Sequence, residues 1–347
     1  DQLISEGYVI TIPKKGYYVA EISEMNIVRN KSKNSNCINV QEADSKYIDL
    51  SGNQINPKNF PFSVWAKLVR RTITEKSIEL MTPSLTGGTS ELRKAIAEHL
   101  HSFRGIDVDY NQIIIGAGTE YLYSLIIQLL GDDSVYCIEN PSYFKIARIY
   151  ASNKVKYRYS NMDEKGIIVP EIEKNGAKII HISPTHHFPT GITMPVSRRY
   201  EILAWVNRED GRYIIEDDYD SEFRLTGKPI PPMFSIDSSG KVIYMNTFSK
   251  SLLSTMRISY MVLPPKLANK FYEKLSFYSC TVSNFEQYTL AKFIDMGYFE
   301  KHINRMRLYY SRQRKKVLEC IEKSVINDKC EVIENDSGLH FLIILNT

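Results

Sequence analysis

The sequence predicts an α/β fold built around a largely parallel sheet. Three observations carry that expectation. From "QIIIGAG" to "KVIYMNTFS", short apolar, β-rich runs alternate with runs of helical spacing, the pattern of strand–helix–strand units. The 347 residues exceed what one compact core usually holds, so two or three structural units are expected. The composition is globular, at 43% hydrophobic and 24% charged, with no low-complexity tract to interrupt those units.

Taken in order, residues 1–22 open with "QLISEG", a short helical end that Gly7 stops as a C′ residue. "YVITI" and "YYVAEI" alternate like strands on either side of the turn "PKKG", which carries Lys14 and Lys15. This hairpin is too short to own a core and reads as the tail of a preceding domain. Residues 23–46, with "RNKSKNSNCINV", are polar and read as a linker. From about Tyr47 the pattern turns helical in "FSVWAKLVRRTI" and "SELRKAIAEHLHSFRG". The second has Ser90 as its N-cap and Leu92, Ile96 and Leu100 on one face. "QIIIGAG", "TEYLYSLIIQLL" and "SVYCIENPSYF" read as strand, helix and strand. "VKYRYS", "KIIHISP", "RYIIEDDY" and "KVIYMNTFS" add further strands. After Pro265 long helical patterns dominate, and "CEVIEN" and "GLHFLIIL" form a closing strand pair. The chain starts without Met and stops within a strand-like run, so further chain is expected at both ends.

Several function classes are set aside early. No apolar run reaches the roughly 18 residues of a membrane span, and the first residues lack the basic and apolar regions of a signal peptide. The five cysteines are scattered without a CxxC, which argues for a reducing cytoplasm and against a disulfide frame or zinc site. A net charge of +4 is too small to argue for nucleic acid by itself.

Ligands of open α/β sheets sit beyond the carboxyl ends of the strands. After "QIII" comes "GAGTE", where Gly116 and Gly118 precede a helix start, an anion seat of backbone N–H groups. After "YCIE" comes Tyr143 on a Pro-initiated turn, with Lys145 two residues on. After "KIIHIS" comes "PTHHFPTG". His186 and His187 are adjacent, so their side chains point apart, and no third ligand stands near; no metal is expected there. After "RYII" comes "EDDYDSEF", whose carboxylates leave two readings open, a magnesium site or a partner for a protonated ring nitrogen. After "KVIYMN" comes "TFSKSLLSTMRISY", with Lys250 among hydroxyls and Arg257 seven residues on.

Together "PTHHFPTG", "EDDYDSEF" and "TFSKSLLSTMRISYMVLP" resemble the fold-type I PLP-dependent aminotransferases. More closely, the chain resembles the aminotransferase-like domain of the MocR/GabR subgroup of GntR-type bacterial transcription regulators. "LISEGYVITIPKKGYYV" resembles the last turn and wing of their winged helix-turn-helix. The resemblance implies a DNA-binding remnant over 1–22, a linker over 23–46, an arm and large PLP-binding domain over 47–275, and an incomplete smaller α+β domain over 276–347. It implies Lys250 as the Schiff-base lysine of pyridoxal 5′-phosphate (PLP). Asp217, or its neighbour Asp218, would pair with the pyridinium nitrogen. Tyr219 would reach the phenolic oxygen and Tyr143 would lie against the ring. Gly118, Thr119 and Glu120 would offer N–H groups to the phosphate, with hydroxyls from Thr247 and Ser249 and a fixed cation from Arg257. Phe188 departs from the pattern, since many such enzymes carry Asn there; His186 or His187 would substitute.

The implied function is a PLP-dependent transcription regulator sensing PLP or an amine or amino-acid effector, as a cytoplasmic homodimer completed through "SCTVSNFEQ". An active aminotransferase is the alternative. The wing discriminates between them, because an enzyme has no need of a DNA-contacting hairpin. The arginine that clamps a substrate carboxylate in the family has no match before the chain stops.

Overall fold

The computed structural model describes residues 1–20, 56–224, 231–333 and 339–345. The expected linker over 23–46 lies outside the described residues. The chain forms two compact units, Asp1–Gly52 and Asn53–Thr347.

In the first unit, helix α1 (Gln2–Ser5) leads into the antiparallel hairpin of β1 (Val9–Ile12) and β2 (Gly16–Val19). Gly7 follows the helix cap with φ of +79°, the left-handed conformation that a C′ glycine supplies. Val9 pairs with Val19 and Ile12 with Gly16, so Lys14 and Lys15 occupy the tip. None of residues 1–20 is buried, as expected of a hairpin with no core of its own.

The second unit is the expected α/β body. Helix α2 (Phe62–Glu75), α3 (Ser77–Leu80) and α4 (Ser90–Arg104) come first. The N-cap of α4 is Thr89, one residue before the expected Ser90. Strands and helices then alternate: β3 (Ile113–Gly116), α5 (Thr119–Leu130), β4 (Tyr136–Asn140), α6 (Phe144–Ser152), β5 (Tyr157–Asp163), β6 (Gly166–Ile167), α7 (Val169–Lys174) and β7 (Ile179–Ile182). They continue through α8 (Val196–Asn207), β8 (Tyr213–Asp217), α9 (Met233–Ile236), β9 (Val242–Thr247), α10 (Phe248–Ser251), β10 (Ser259–Val262) and α11 (Pro265–Leu275). Helices α12 (Asn284–Asp295) and α13 (Tyr298–Glu322) precede the antiparallel pair β11 (Cys330–Ile333) and β12 (Leu342–Leu345).

Eight strands form one sheet in the order β3-β10-β9-β8-β7-β4-β5-β6. The pairs β9–β8, β8–β7, β7–β4 and β4–β5 are parallel, whereas β10 runs antiparallel to both β9 and β3. Two reversals leave β3 running with β9, so the carboxyl ends of β3, β9, β8, β7 and β4 share one edge. The chain leaves β3 on one flank, enters β4 beyond the middle, and works back, creating the topological switch at which such sheets bind ligands. Strands β3, β7, β9 and β10 are buried along their whole length. That explains why they read as continuous apolar runs rather than alternating ones. Ile114, Ile215, Ile243 and Met261 pack under α5, α6 and α11, while Ile180, Ile182, Ile214 and Val242 pack under α7 and α8.

Candidate functional site

Sheet register sets the site. Ser259 pairs with both Gly116 and Thr247, and Asp217 pairs with Met245, so the ends of β3, β9 and β8 fall in one row. Lys250 follows β9 by one turn, on α10. Thr247 caps that turn: its hydroxyl accepts from the Ser249 amide at 3.1 Å and from Ser259 Oγ at 2.8 Å, and donates to Ser249 Oγ at 2.9 Å. The Thr247 hydroxyl, expected among phosphate ligands, is thus occupied in holding the lysine turn. The side chain of Lys250 is largely buried, and loss of hydration holds its ammonium below the usual lysine range, against the pull of Asp220. Behind it, His302 of α13 donates from Nε2 to the Ser251 carbonyl at 2.9 Å.

Gly118 caps α5 with φ of +91°. A methyl there would collide with the Arg257 guanidinium, so glycine is what lets that cation approach the helix start. The Gly118 amide departs from expectation, because it donates to the Gly116 carbonyl at 2.8 Å. Thr119 and Glu120 open the first turn, where amides have no intrahelical acceptor. The Glu120 carboxylate pairs with Arg257 and lies 3.4 Å from Lys145 Nζ. Arg257 itself has φ of +53°, a conformation rarely adopted by a residue with a side chain.

The two aspartates part company. Asp218 Oδ2 is bound by buried Arg104 at 2.5 Å and by the Tyr244 hydroxyl at 2.7 Å. Asp217 Oδ2 accepts from the Tyr123 hydroxyl at 2.5 Å and lies 3.7 Å from His181 Nε2; the other nitrogen of that ring bonds to the Tyr150 hydroxyl at 2.8 Å. Asp217 Oδ1 is buried with no hydrogen-bond partner among the described residues, an expensive arrangement for a carboxylate.

The adjacent histidines also diverge. His187 Nδ1 bonds to Thr190 Oγ1 at 2.7 Å, and Nε2 lies 3.4 Å from Glu139 Oε2. Burial pushes the His187 imidazole down to about 4 and the Glu139 carboxyl up to about 8. His186 turns the other way, with Nδ1 at 2.8 Å from Asp220 Oδ2 and 3.4 Å from the Tyr219 hydroxyl. Contrary to the expectation of no third ligand, Asp220 and His340 bring their ligand atoms within 4.8 Å of that of His186 and of each other. The hydrogen bond from His186 to Asp220 accounts for the closeness of the first two.

Phe188, in place of the family asparagine, joins a row of rings. Its centroid is 5.9 Å from Tyr143 and 5.2 Å from His340. His340 lies 4.3 Å from His186, which lies 6.1 Å from Tyr219. Tyr123, His181, Glu139 and His340 were not among the site residues expected from the sequence. Only Tyr123 left a signal, one helical turn after Thr119 on the helix that starts the anion seat.

The family model Aminotransferase class I and II matches residues 45–347. The chain is 36% identical over 344 residues to the uncharacterized HTH-type transcriptional regulator YdeL of Bacillus subtilis, covering 99% of this chain and 74% of that protein. It is 34% identical over 286 residues to the probable rhizopine catabolism regulatory protein MocR of Rhizobium meliloti, covering 82% and 58%. It is 26% identical over 345 residues to the pyridoxine biosynthesis regulator PdxR of Corynebacterium glutamicum, covering 99% and 73%. Among solved structures, the Pyrococcus horikoshii kynurenine aminotransferase superposes with a TM-score of 0.74 at 27% identity, covering 83% of this chain and 73% of that one. This chain therefore belongs to the MocR-type HTH transcriptional regulators, whose body is an aminotransferase class I and II domain of fold type I with pyridoxal phosphate as its cofactor.

Proposed function

We propose that this chain is the sensing part of a cytoplasmic transcription regulator that holds PLP at Lys250 and couples an amine or amino-acid effector to DNA binding. The observation that carries the reading is Asp217: its buried, orphaned Oδ1 calls for a cation, and a protonated pyridine nitrogen is one. When bound, PLP supplies an aldehyde that condenses with amines and a ring that withdraws electrons. Lys250 Nζ is the covalent anchor, and its burial favours the neutral amine that bond formation needs. Asp217, fixed by Tyr123, would pair with the ring nitrogen and keep it protonated. The Thr119 and Glu120 amides, the Ser249 hydroxyl and the Arg257 guanidinium hold the phosphate. Arg257, which pairs with Glu120, would be shared between that carboxylate and the phosphate. Tyr143 would lie against the ring, and Tyr219 and His186 would hold its phenolic oxygen, with His186 in the place of the family asparagine.

Residues 1–22 form the end of a winged helix whose tip lysines, Lys14 and Lys15, meet phosphates. Residues 23–46 link it to a large domain over 47–275 and a small domain over 276–347, in a homodimer. The aminotransferase reading is favoured by one observation only, the intact constellation around Lys250. The deciding experiment uses the full-length protein with PLP and a panel of amines and 2-oxo acids. Amine-dependent DNA retention without turnover is expected; steady transamination with DNA binding indifferent to amines would overturn the regulatory reading.

A further inference from the structure

Helix α13 backs the lysine turn at two points. Phe299 sets its ring against Phe248 at 5.5 Å between centroids, and one turn further on buried His302 donates from Nε2 to the Ser251 carbonyl at 2.9 Å. The two contacts bracket Lys250 on the four residues of α10, Phe248–Ser251. The last carbonyls of a helix have no intrahelical donor. Ser251 is buried, so the imidazole supplies a hydrogen that bulk water cannot.

An imidazole does this in one tautomer only. Arg305, three residues on along the same face of α13, selects it. Its Nη2 donates to His302 Nδ1 at 3.1 Å and to the Asn59 carbonyl at 2.8 Å, which uses both hydrogens of that nitrogen and ties it to the segment ahead of α2. A guanidinium can only donate and a carbonyl can only accept. The two bonds to the ring therefore put the lone pair on Nδ1 and the proton on Nε2. A protonated ring would turn a second N–H against the guanidinium. Burial and the Arg305 charge act the same way, pushing the imidazole down to about 4. The opposite tautomer would aim a lone pair at the Ser251 carbonyl and leave it unmet, in the turn that aims Lys250.

We propose that His302 and Arg305 are positioning residues for Lys250: Arg305 holds the imidazole in its Nε2–H tautomer, and that N–H holds the turn from which the lysine reaches the cofactor. This rests on the reading of Lys250 as the cofactor anchor. A coupling follows that packing alone would not produce. Arg305 matters only while residue 302 is a ring whose proton can change places; a glutamine there offers an amide N–H with or without it.

The test is a titration of the PLP-free full-length protein with PLP, followed by the Lys250-dependent visible band. Arg305→Met keeps the stem of an exposed side chain and removes its donors. It is expected to raise the half-saturating PLP concentration roughly fivefold, the scale of one net hydrogen bond. In a His302→Gln background the same substitution is expected to change it by less than about twofold. His302→Leu, which has no N–H, gives a second such background, itself roughly tenfold weaker than the wild type. An equal loss in the wild-type and substituted backgrounds, the mark of a packing effect, would overturn the proposal and leave the cofactor reading standing. So would an unchanged PLP affinity in Arg305→Met with the band intact. Absence of a Lys250-dependent band from the wild type would overturn the cofactor reading and this proposal with it.

Discussion

At the scale of single residues, Asp217 and Asp218 are the sharpest contrast. Both are buried and adjacent, but Asp218 pairs with Arg104, whereas among the described residues Asp217 meets the Tyr123 hydroxyl and the His181 imidazole. Asp217→Asn is expected to keep the fold and weaken PLP binding by roughly tenfold to a hundredfold, the worth of one charge-assisted hydrogen bond, measured by fluorescence titration. Asp218→Asn is expected to cost roughly 3–5 kcal/mol of stability by stranding Arg104, measured by denaturant unfolding. The sequence leaves the choice between these neighbours open, because the deciding partner, Arg104, lies 114 positions away on α4. The turn that carries Lys250 is the opposite case: its hydroxyls and Arg257 are all local, so the sequence shows them together. His340 left no such signal, since its contacts with His186 and Phe188 join segments far apart in the chain.

At the scale of elements, two short turns aim the chemistry. Thr247 caps α10, so Thr247→Val is expected to cost about 1 kcal/mol and to weaken cofactor binding by loosening the lysine turn. Thermal melting with and without PLP separates the two effects. Gly118→Ala would force a methyl onto Arg257 at a positive φ, and the phosphate seat is expected to fail before the fold does. PLP affinity should drop while inorganic phosphate loses its ability to compete. The strands that hold these turns were legible from their apolar runs. The insertion of β10 between β3 and β9 was not, because "RISYMVLP" carries no mark of its antiparallel direction. The Gly118 amide was misjudged because its local bond to Gly116 is a matter of backbone geometry that two glycines leave open.

At the scale of the whole molecule, four histidines, His99, His187, His302 and His340, are each pushed by burial to about 4. Their unfolded values lie near 6.5. Between those limits the unfolded chain binds more protons at these rings than the folded one, so their contribution to stability is complete above about pH 6.5 and is lost as pH drops toward 4. The buried carboxyls of Glu139, Glu216 and Glu222, pushed up to about 8, 7 and 7, act in the opposite sense. The histidine share is therefore read by difference: His302→Gln should lose less stability than the wild type between about pH 6.5 and 4, measured by urea midpoints. Among the described residues no helix is long and apolar enough to cross a membrane. The alternation of strands and helices foretold this body, and the chain order of its strand ends foretold which residues meet at the edge. Borohydride reduction of the PLP-loaded protein, followed by peptide mass spectrometry, tests whether Lys250 holds the cofactor. The cofactor's mass is expected on the peptide containing Lys250, with Lys250→Ala showing neither that adduct nor a visible absorption band; an adduct on another lysine, or an unchanged band in Lys250→Ala, would contradict the account.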